Sequence, residues 1–306
     1  MTTLTVFTPT YNRAHLLGRL YDSLLRQTCQ DFAWLVVDDG STDGTRELVA
    51  GWQAEGRIQI QYEYKANGGM HTAHNRAYEL IETELNVCID SDDWMPDDAV
   101  SLILSRWALV SGDVEVAGIV GLDQTPSGEV VGTKLPPDGT RCTLTGLYAR
   151  LRVRGDKKLV YRSSITRRFP RYPEFSGERL VPLSWLYELI DQEYLLVAFN
   201  DVYATVEYQP GGSSASVVKQ YFQSPRGFRE ARIVSIRHAP TKKDKLRNVV
   251  HYGVSCFILG DWQPWRSSPS PGLSVLLWPV SVGAYLYLLL RKHQLDGRAA
   301  SPQGCP

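Results

Sequence analysis

The sequence predicts an α/β protein: a mainly parallel sheet flanked by helices, followed by a mixed second half and a helical C-terminal region. Three observations carry this. Over residues 4–121, short apolar runs rich in Val, Ile and aromatic residues alternate with segments of helical period, the pattern of βα units. Acids, glycines and small residues follow each apolar run, where an open parallel sheet presents its ligand edge. From about residue 122, Pro126-Ser127-Gly128 and Pro136-Pro137-Asp138-Gly139 put turns in place of helical crossovers.

In chain order, strands are expected at 4–7, 32–37, 58–64, 87–89 and 116–121, with helices near 15–25, 45–52, 72–81 and 97–110 between them. Gly40-Ser41-Thr42-Asp43 supplies the turn and cap that open the second helix. Beyond 122, strands near 159–163, 194–199 and 202–208 surround a helix near 178–190. A basic helical region covers about 217–259, and Ser267-Ser268-Pro269-Ser270-Pro271 breaks the chain before a last apolar segment. No internal repeat is present.

At 306 residues and 43% hydrophobic content the chain is long enough for a large buried core, which excludes a disordered tail or a disulfide mini-scaffold. Its five cysteines include no C-x-x-C pair, so neither a disulfide framework nor a zinc ribbon is expected. The chain enters at Leu4-Thr5-Val6-Phe7 without a charged and apolar leader, and a reducing cytosol is the expected compartment. Net charge is zero, but residues 1–149 hold 10 Lys+Arg against 21 Asp+Glu, leaving 23 against 12 for the remainder. An acidic front half suits a metal and a basic back half suits anionic partners. Nine of the basic residues crowd 150–171, as a solvated surface or as an anion-facing one.

The ends of the expected strands agree with one another. After the first come Thr8-Pro9-Thr10-Tyr11-Asn12-Arg13, after the second Asp38-Asp39-Gly40-Ser41, after the third Lys65-Ala66-Asn67-Gly68-Gly69, and after the fourth Asp90-Ser91-Asp92-Asp93. Three carboxylates within four residues repel unless neutralised, and a hard divalent cation holding a diphosphate needs such oxygen ligands. The plainer alternative is an acidic turn capping the helix near Asp97. Gly68-Gly69 lets backbone approach a nucleotide, or is simply a turn.

Taken in order, Pro9-Thr10-Tyr11-Asn12-Arg13, Asp38-Asp39-Gly40-Ser41-Thr42-Asp43 and Asp90-Ser91-Asp92-Asp93 resemble the inverting, nucleotide-sugar-dependent glycosyltransferases of family two, over about residues 3–210. The resemblance implies the Rossmann-like GT-A fold, a UDP-sugar donor and Mn²⁺ or Mg²⁺. It implies that Thr8, Pro9, Tyr11, Asn12, Arg13 and Asp39 embrace the uracil, with Asn67, Gly68, Gly69 and Asn75 also on the donor. Asp90 and Ser91 would take the ribose, and Asp92 and Asp93 the metal. The base that deprotonates the acceptor is expected at Glu178 in Gly177-Glu178-Arg179-Leu180, with Asp191 and Glu188 as runners-up. Here Arg179 stands where relatives often carry Asp, and Met70 where many carry Lys. Glu178 also reads as a helix N-terminal charge. His71 and His74, three apart on a helix, read as structural rather than as metal ligands.

Three divisions follow: 1–121 as the nucleotide-sugar-binding half, 122–212 as the acceptor and base half, and 213–306 as a helical extension. The loop at Tyr208-Gln209-Pro210-Gly211-Gly212-Ser213 is expected to close over donor or acceptor. Absence of Gln-x-x-Arg-Trp argues for addition of one sugar. A sugar nucleotidyltransferase lacks support because its Gly-rich basic first loop is missing, and a dehydrogenase because G-x-G-x-x-G is missing. A non-catalytic carbohydrate-binding protein is the rival from another class. The expected acceptor is a glycan or a lipid-linked sugar of a surface polysaccharide or other bacterial glycoconjugate; no nucleic-acid partner is expected, and oligomeric state is left open.

The run 273–290 is uncharged and ends in Arg291-Lys292-His293. Its length is borderline for a span, and Pro279 near its middle is expected to kink it. It is apolar around its whole circumference, so an amphipathic surface helix fits poorly. Peripheral association with an anionic membrane on its inner face is the favoured reading, over burial as a core helix or a true span.

Overall fold

The computed structural model describes residues 2–207 and 217–300, the last five by backbone only. The loop expected at 208–213 lies outside the described residues. Two compact units are present: Met1–Tyr172 with Leu186–Gln209, and Pro173–Trp185 with Pro210–Pro306.

The first unit is an eight-stranded sheet flanked by helices, and the α/β class read from the sequence is borne out. Its strands are β1 (Leu4–Thr10), β2 (Phe32–Asp38), β3 (Ile60–Tyr64), β4 (Leu85–Cys88), β5 (Val116–Gln124), β6 (Thr140–Cys142), β7 (Lys157–Arg162) and β8 (Leu195–Thr205). They lie in the order β3-β2-β1-β4-β7-β5-β8-β6. β3, β2, β1 and β4 run parallel, as do β5 and β8, while β7 and β6 are antiparallel to their neighbours. Every residue of β1 is buried, as expected for a parallel strand covered on both faces.

Helices α1 (Ala14–Leu25), α2 (Thr45–Glu55), α3 (Met70–Leu80) and α4 (Ala99–Ala108) are the crossovers. α1 shows why they form. Leu17, Leu20, Tyr21 and Leu24 recur at helical spacing and are buried against Trp34 and Val36 of the sheet. Tyr21 stacks on Trp52 at 4.3 Å, which locks α1 to α2. Two short helices escape the sequence pattern, α5 (Leu144–Ala149) and α6 (Ser163–Arg168).

Three expectations need correction. The strands expected at 194–199 and 202–208 are one strand, β8, which carries register irregularities against β5. Asn200 and Asp201 read as a break, but Asn200 N–H donates to Asp138 Oδ1 at 2.8 Å and Asp201 pairs with Arg106 at 2.6 Å. Second, the helix expected from 178 is only α7 (Ser184–Ile190), because Pro182 lacks an N–H and biases its predecessor away from helical backbone. Third, Pro279 does not kink the run 273–290. The chain forms α11 (Pro271–Leu276) and restarts at α12 (Trp278–Ala300), so Pro279 occupies the first helical turn, where its missing N–H costs nothing.

The second unit is helical: α8 (Val217–Gln223), α9 (Pro225–Arg237), α10 (Lys242–Ile258), a 3₁₀ turn at Pro264–Arg266, and then α11 and α12. Its core joins Ile236, Val249, Tyr252 and Cys256, with Leu273 and Leu277 packed against them. Among the described residues, no helix is long and apolar enough to cross a membrane.

Candidate active site

The C-terminal ends of β1, β2, β3 and β4 bring the expected donor-side residues to one sheet edge. The first two loops are tied to each other. Asn12, at φ 52°, donates its N–H to Ser41 Oγ at 2.8 Å and accepts Thr42 N–H at its own Oδ1 at 2.8 Å, while Ala14 N–H reaches Asp43 Oδ2 at 3.0 Å. The Asn12 side chain therefore cross-links the protein. Asp38 is likewise engaged, accepting Ser41 N–H and the Tyr62 hydroxyl. Thr8 is wholly buried and accepts the Trp34 indole N–H at 3.0 Å, so it supports the site from beneath. Pro9 is buried in β1 beside Val37. Tyr11 is the opposite case, an exposed ring at the tip of β1.

Asp39 organises the third loop. Its Oδ1 accepts Lys65 Nζ at 2.6 Å and Gly68 N–H at 2.9 Å, and its Oδ2 accepts Gly69 N–H at 2.7 Å. Lys65 also donates to Thr72 Oγ1 at 2.7 Å. Gly40, at φ +87°, must be glycine, since a Cβ there would sit 2.8 Å from Asn67 N. Around Asp39, Thr10 Oγ1 and Asn67 Oδ1 are buried with no hydrogen-bond partner among the described residues. Orphaned polar atoms are rare in native interiors and call for a ligand or water. Asn75 sits apart from this group, exchanging two hydrogen bonds with the Tyr172 backbone at 2.9 and 2.8 Å.

The turn after β4 holds the acids. Asp92 Oδ2 lies 2.8 Å from Arg13 Nη1, and Ser91 Oγ is 3.4 Å from the same nitrogen. Arg19, its guanidinium 4.0 Å over the Trp94 ring, donates to the Asp92 carbonyl at 2.8 Å. Asp93 N–H donates to Asp90 O, closing the turn, and Cys88 Sγ lies 3.8 Å from Asp90 Oδ1. Lys158 Nζ stands 3.9 Å from Asp93 and 3.8 Å from Asp123. Burial pushes the Asp93 carboxyl up to about 7 despite the opposing pull of Lys158. Burial also works against the Lys158 charge, but Asp123, Asp93 and Asp90 more than restore it, so the ammonium is held above the usual lysine range. Among the described residues, no group of three or more His, Cys, Asp or Glu is placed to hold a metal. His74 is buried among the rings of Phe7, Tyr78 and Tyr172, and burial lowers its proton affinity.

Of the three base candidates, Glu188 lies within α7, and Glu178 and Asp191 are engaged at helix starts. Glu178, in the second unit, is not on α7. Its carboxylate accepts the N–H groups of Arg226 at 3.1 Å and Gly227 at 2.9 Å, in the first turn of α9. Asp191, in the first unit, accepts Leu144 N–H at 2.9 Å, Thr145 N–H at 2.7 Å and the Thr145 hydroxyl at 2.8 Å, at the start of α5. Burial raises the Asp191 carboxyl, opposed by these hydrogen bonds.

Sequence reasoning missed Lys158, Asp123 and the role of Lys65. Lys158 belongs to the basic crowd at 150–171, of which it, Lys157, Arg162 and Arg167 are spent on partners within the fold. Lys157 Nζ donates to the carbonyl of Val131 at 2.8 Å, Arg162 to that of Ser111 at 2.8 Å and Arg167 to that of Ile81 at 2.6 Å. The one available signal was position, since a Lys pair inside a strand of a buried sheet has to find carbonyls or carboxylates.

The chain is similar to known glycosyltransferases in sequence and in fold. The family model for Glycosyl transferase family 2 matches residues 5–134. The chain is 28% identical over 122 residues to Glycosyltransferase GlyA of Streptococcus pneumoniae, covering 40% of this chain and 17% of that protein. It is 34% identical over 105 residues to the Chondroitin synthase of Pasteurella multocida, covering 34% and 11%, and 45% identical over 75 residues to the Validoxylamine A glucosyltransferase of Streptomyces hygroscopicus, covering 24% and 17%. The chain thus spans less than a fifth of the length of these relatives. In fold it is similar to S. aureus TarS 1-349 in complex with UDP-GlcNAc, at 18% identity and a TM-score of 0.62 over 94% of this chain and 81% of that one. It is also similar to the mannosyltransferase PcManGT of Pyrobaculum calidifontis in complex with GDP-Man and Mn²⁺, at 18% identity and a TM-score of 0.55 over 94% and 82%. Residues 5–134 thus carry a glycosyl transferase family 2 domain, and the chain shares the GT-A fold of these structures.

Proposed function

We propose that the protein transfers one sugar from a UDP-sugar to a hydroxyl of a glycan or lipid-linked acceptor, with inversion and with a divalent cation, in the cytoplasm on the inner face of a membrane. The observation that carries the donor reading is the edge around Asp39. An exposed aromatic ring at Tyr11, a desolvated carboxylate, and the orphaned Thr10 and Asn67 oxygens are what a nucleobase with polar edges needs. TarS, which binds UDP-GlcNAc and UDP, and PcManGT, which binds GDP-Man, supply the donor class by likeness.

The donor set fits Mn²⁺ or Mg²⁺. Such ions are held by one or two carboxylates and draw their remaining ligands from substrate phosphates and water, so a cluster of three protein ligands is not required. Asp92 is a partly exposed carboxylate whose partner Arg13 is a partly exposed cation, and Asp93 stands next to it. When bound, the ion neutralises charge on the departing diphosphate. Arg13, released from Asp92, pairs with a phosphate oxygen.

The acceptor hydroxyl gives its proton to a carboxylate, its oxygen bonds to the anomeric carbon from the opposite face, and the bond from that carbon to the UDP oxygen breaks. Glu178 suits the base better than Asp191. Each Glu178 oxygen accepts one N–H and keeps a lone pair, so two acceptor sites remain, whereas Asp191 takes three donors and keeps one. Release of UDP from UDP-glucose, UDP-galactose, UDP-N-acetylglucosamine and UDP-glucuronate with Mn²⁺ tests the reading. Binding of UDP without turnover on any donor and acceptor pair would leave a non-catalytic binding protein instead.

A further inference from the structure

The run 273–290 is apolar all round because it serves two faces. Its inner side belongs to the second unit's core. Leu273 and Leu277 pack on that core, Ser281 is buried where a Cβ on Gly253 of α10 would meet its Oγ at 2.7 Å, and the Tyr285 ring meets Phe257 and Trp262 at 5.9 and 5.8 Å. Its outer side is largely exposed among the described residues. Val275, Leu276, Val280, Leu286, Tyr287 and Leu290 are each between 52% and 70% exposed. At about 3.6 residues per turn, the exposed positions of α12 from 279 to 290 form one stripe, and no charge interrupts it.

Arg291 closes that stripe, while Lys292 lies on the opposite side of α12 toward α8. Arg291 places its guanidinium 5.7 Å over the Tyr287 ring and donates to the Tyr287 hydroxyl at 3.1 Å, and Lys292 Nζ lies 4.7 Å over the Phe222 ring. Residues 173–185 and 210–306 together hold 14 Lys+Arg against 6 Asp+Glu, a net of +8 in a chain whose total is zero.

We infer that the outer face of α11 and α12 inserts into the headgroup and acyl boundary of an anionic lipid bilayer, which gives the membrane placement proposed above a defined surface. Charge complementarity selects this occupant. An exposed aliphatic stripe bordered by an aromatic hydroxyl and an arginine matches an interfacial helix on anionic lipid. Two copies of a unit carrying +8 repel when such faces approach. The stripe of α12 is about 18 Å long at about 1.5 Å per residue, short of a hydrocarbon core of about 30 Å, so the helix lies in the plane of the interface.

Sedimentation of the full chain with phosphatidylcholine vesicles, with and without phosphatidylglycerol, tests this. The protein is expected to bind the anionic vesicles, weaken with added salt, and lose at least about tenfold in partitioning when Leu276, Leu286 and Leu290 are all changed to Ser. Arg291→Glu is expected to weaken the preference for anionic lipid. Thermal melts and UDP calorimetry on the same variants should match the parent, which separates loss of lipid binding from misfolding and from failure of the donor reading. Three results would overturn the inference: no binding to anionic vesicles, binding unchanged in the triple variant, or a dimer in sedimentation velocity that the triple variant abolishes.

Discussion

Lys65 Nζ sits 2.6 Å from Asp39 Oδ1, and both side chains are largely withdrawn from water. The same carboxylate gathers Gly68 and Gly69 N–H, so the third loop owes its shape to Asp39. Removing Asp39 therefore has two consequences. Asp39→Ala is expected to weaken UDP binding by about 1.5–3 kcal/mol, the scale of a hydrogen bond to a charged group. It is also expected to lower the melting temperature, because Lys65 and two N–H groups lose their acceptor. Lys65→Met keeps the carboxylate and is expected to perturb stability as much, by leaving Asp39 desolvated without its counter-charge. Calorimetry with UDP and thermal melts on both variants check the pair; unchanged UDP affinity in Asp39→Ala removes Asp39 from the donor site.

Glu178 presents a conflict between capping and catalysis that kinetics can separate. Glu178→Ala leaves the N–H groups of Arg226 and Gly227 at the start of α9 without an acceptor, at a cost of about 1–3 kcal/mol. Glu178→Gln keeps one of the two acceptor oxygens and part of that stability but cannot take a proton. If Glu178 is the base, the Gln variant loses at least about 10²-fold in kcat with donor affinity unchanged. Turnover near the parental rate in Glu178→Gln, with stability lost in Glu178→Ala, would leave Glu178 only a helix cap.

The strand ends were legible because they follow from chain-local facts. β2 is an apolar run from Phe32 to Val37, α1 repeats its apolar residues at helical spacing, and the three acids after β4 fall within four residues. What escaped is what only the folded sheet creates. Lys157 and Lys158 look alike in the sequence, yet one is stitched to carbonyls and the other lies among the carboxylates of Asp93 and Asp123, which come from other segments. Glu178 was read as capping the helix that follows it, and Pro182 instead delays that helix while α9 supplies the N–H groups. Asn12 and Asn75 carry the right residue types for a ligand site, but the fold uses both to fasten backbone.

Lys158 sets a pH dependence with a definite sign. Burial holds the Asp93 carboxyl near 7, well above the unfolded value of about 3.9. The folded state therefore keeps a proton that the unfolded chain has released, and this contribution to stability is complete below about pH 4 and lost as pH rises through about 7. Lys158→Met removes the cation that restrains the shift, so the loss moves to higher pH, and two buried carboxylates are left without compensation at a cost of about 3–5 kcal/mol. Adding Asp123→Asn is expected to restore part of it. Urea midpoints measured against pH in EDTA read both effects; a parental profile in Lys158→Met would show that the cluster is already neutral.

The metal reading turns on Asp92, whose ion pair with Arg13 occupies the place where the cation and the diphosphate are proposed to meet. Asp92→Asn preserves shape and the backbone contact from Arg19 but removes the charge. It is expected to lower transfer by several orders of magnitude, because charge on the departing diphosphate goes unneutralised. EDTA should reproduce that loss in the parent, and added Mn²⁺ should reverse it in the parent alone. Arg13→Ala separates the two cations. If Arg13 only holds Asp92 in place, the variant keeps metal-dependent turnover with weaker donor binding. Should Arg13 itself neutralise the diphosphate, transfer in the parent would survive EDTA while Arg13→Ala would abolish it, and the divalent ion would then have no part in the reaction.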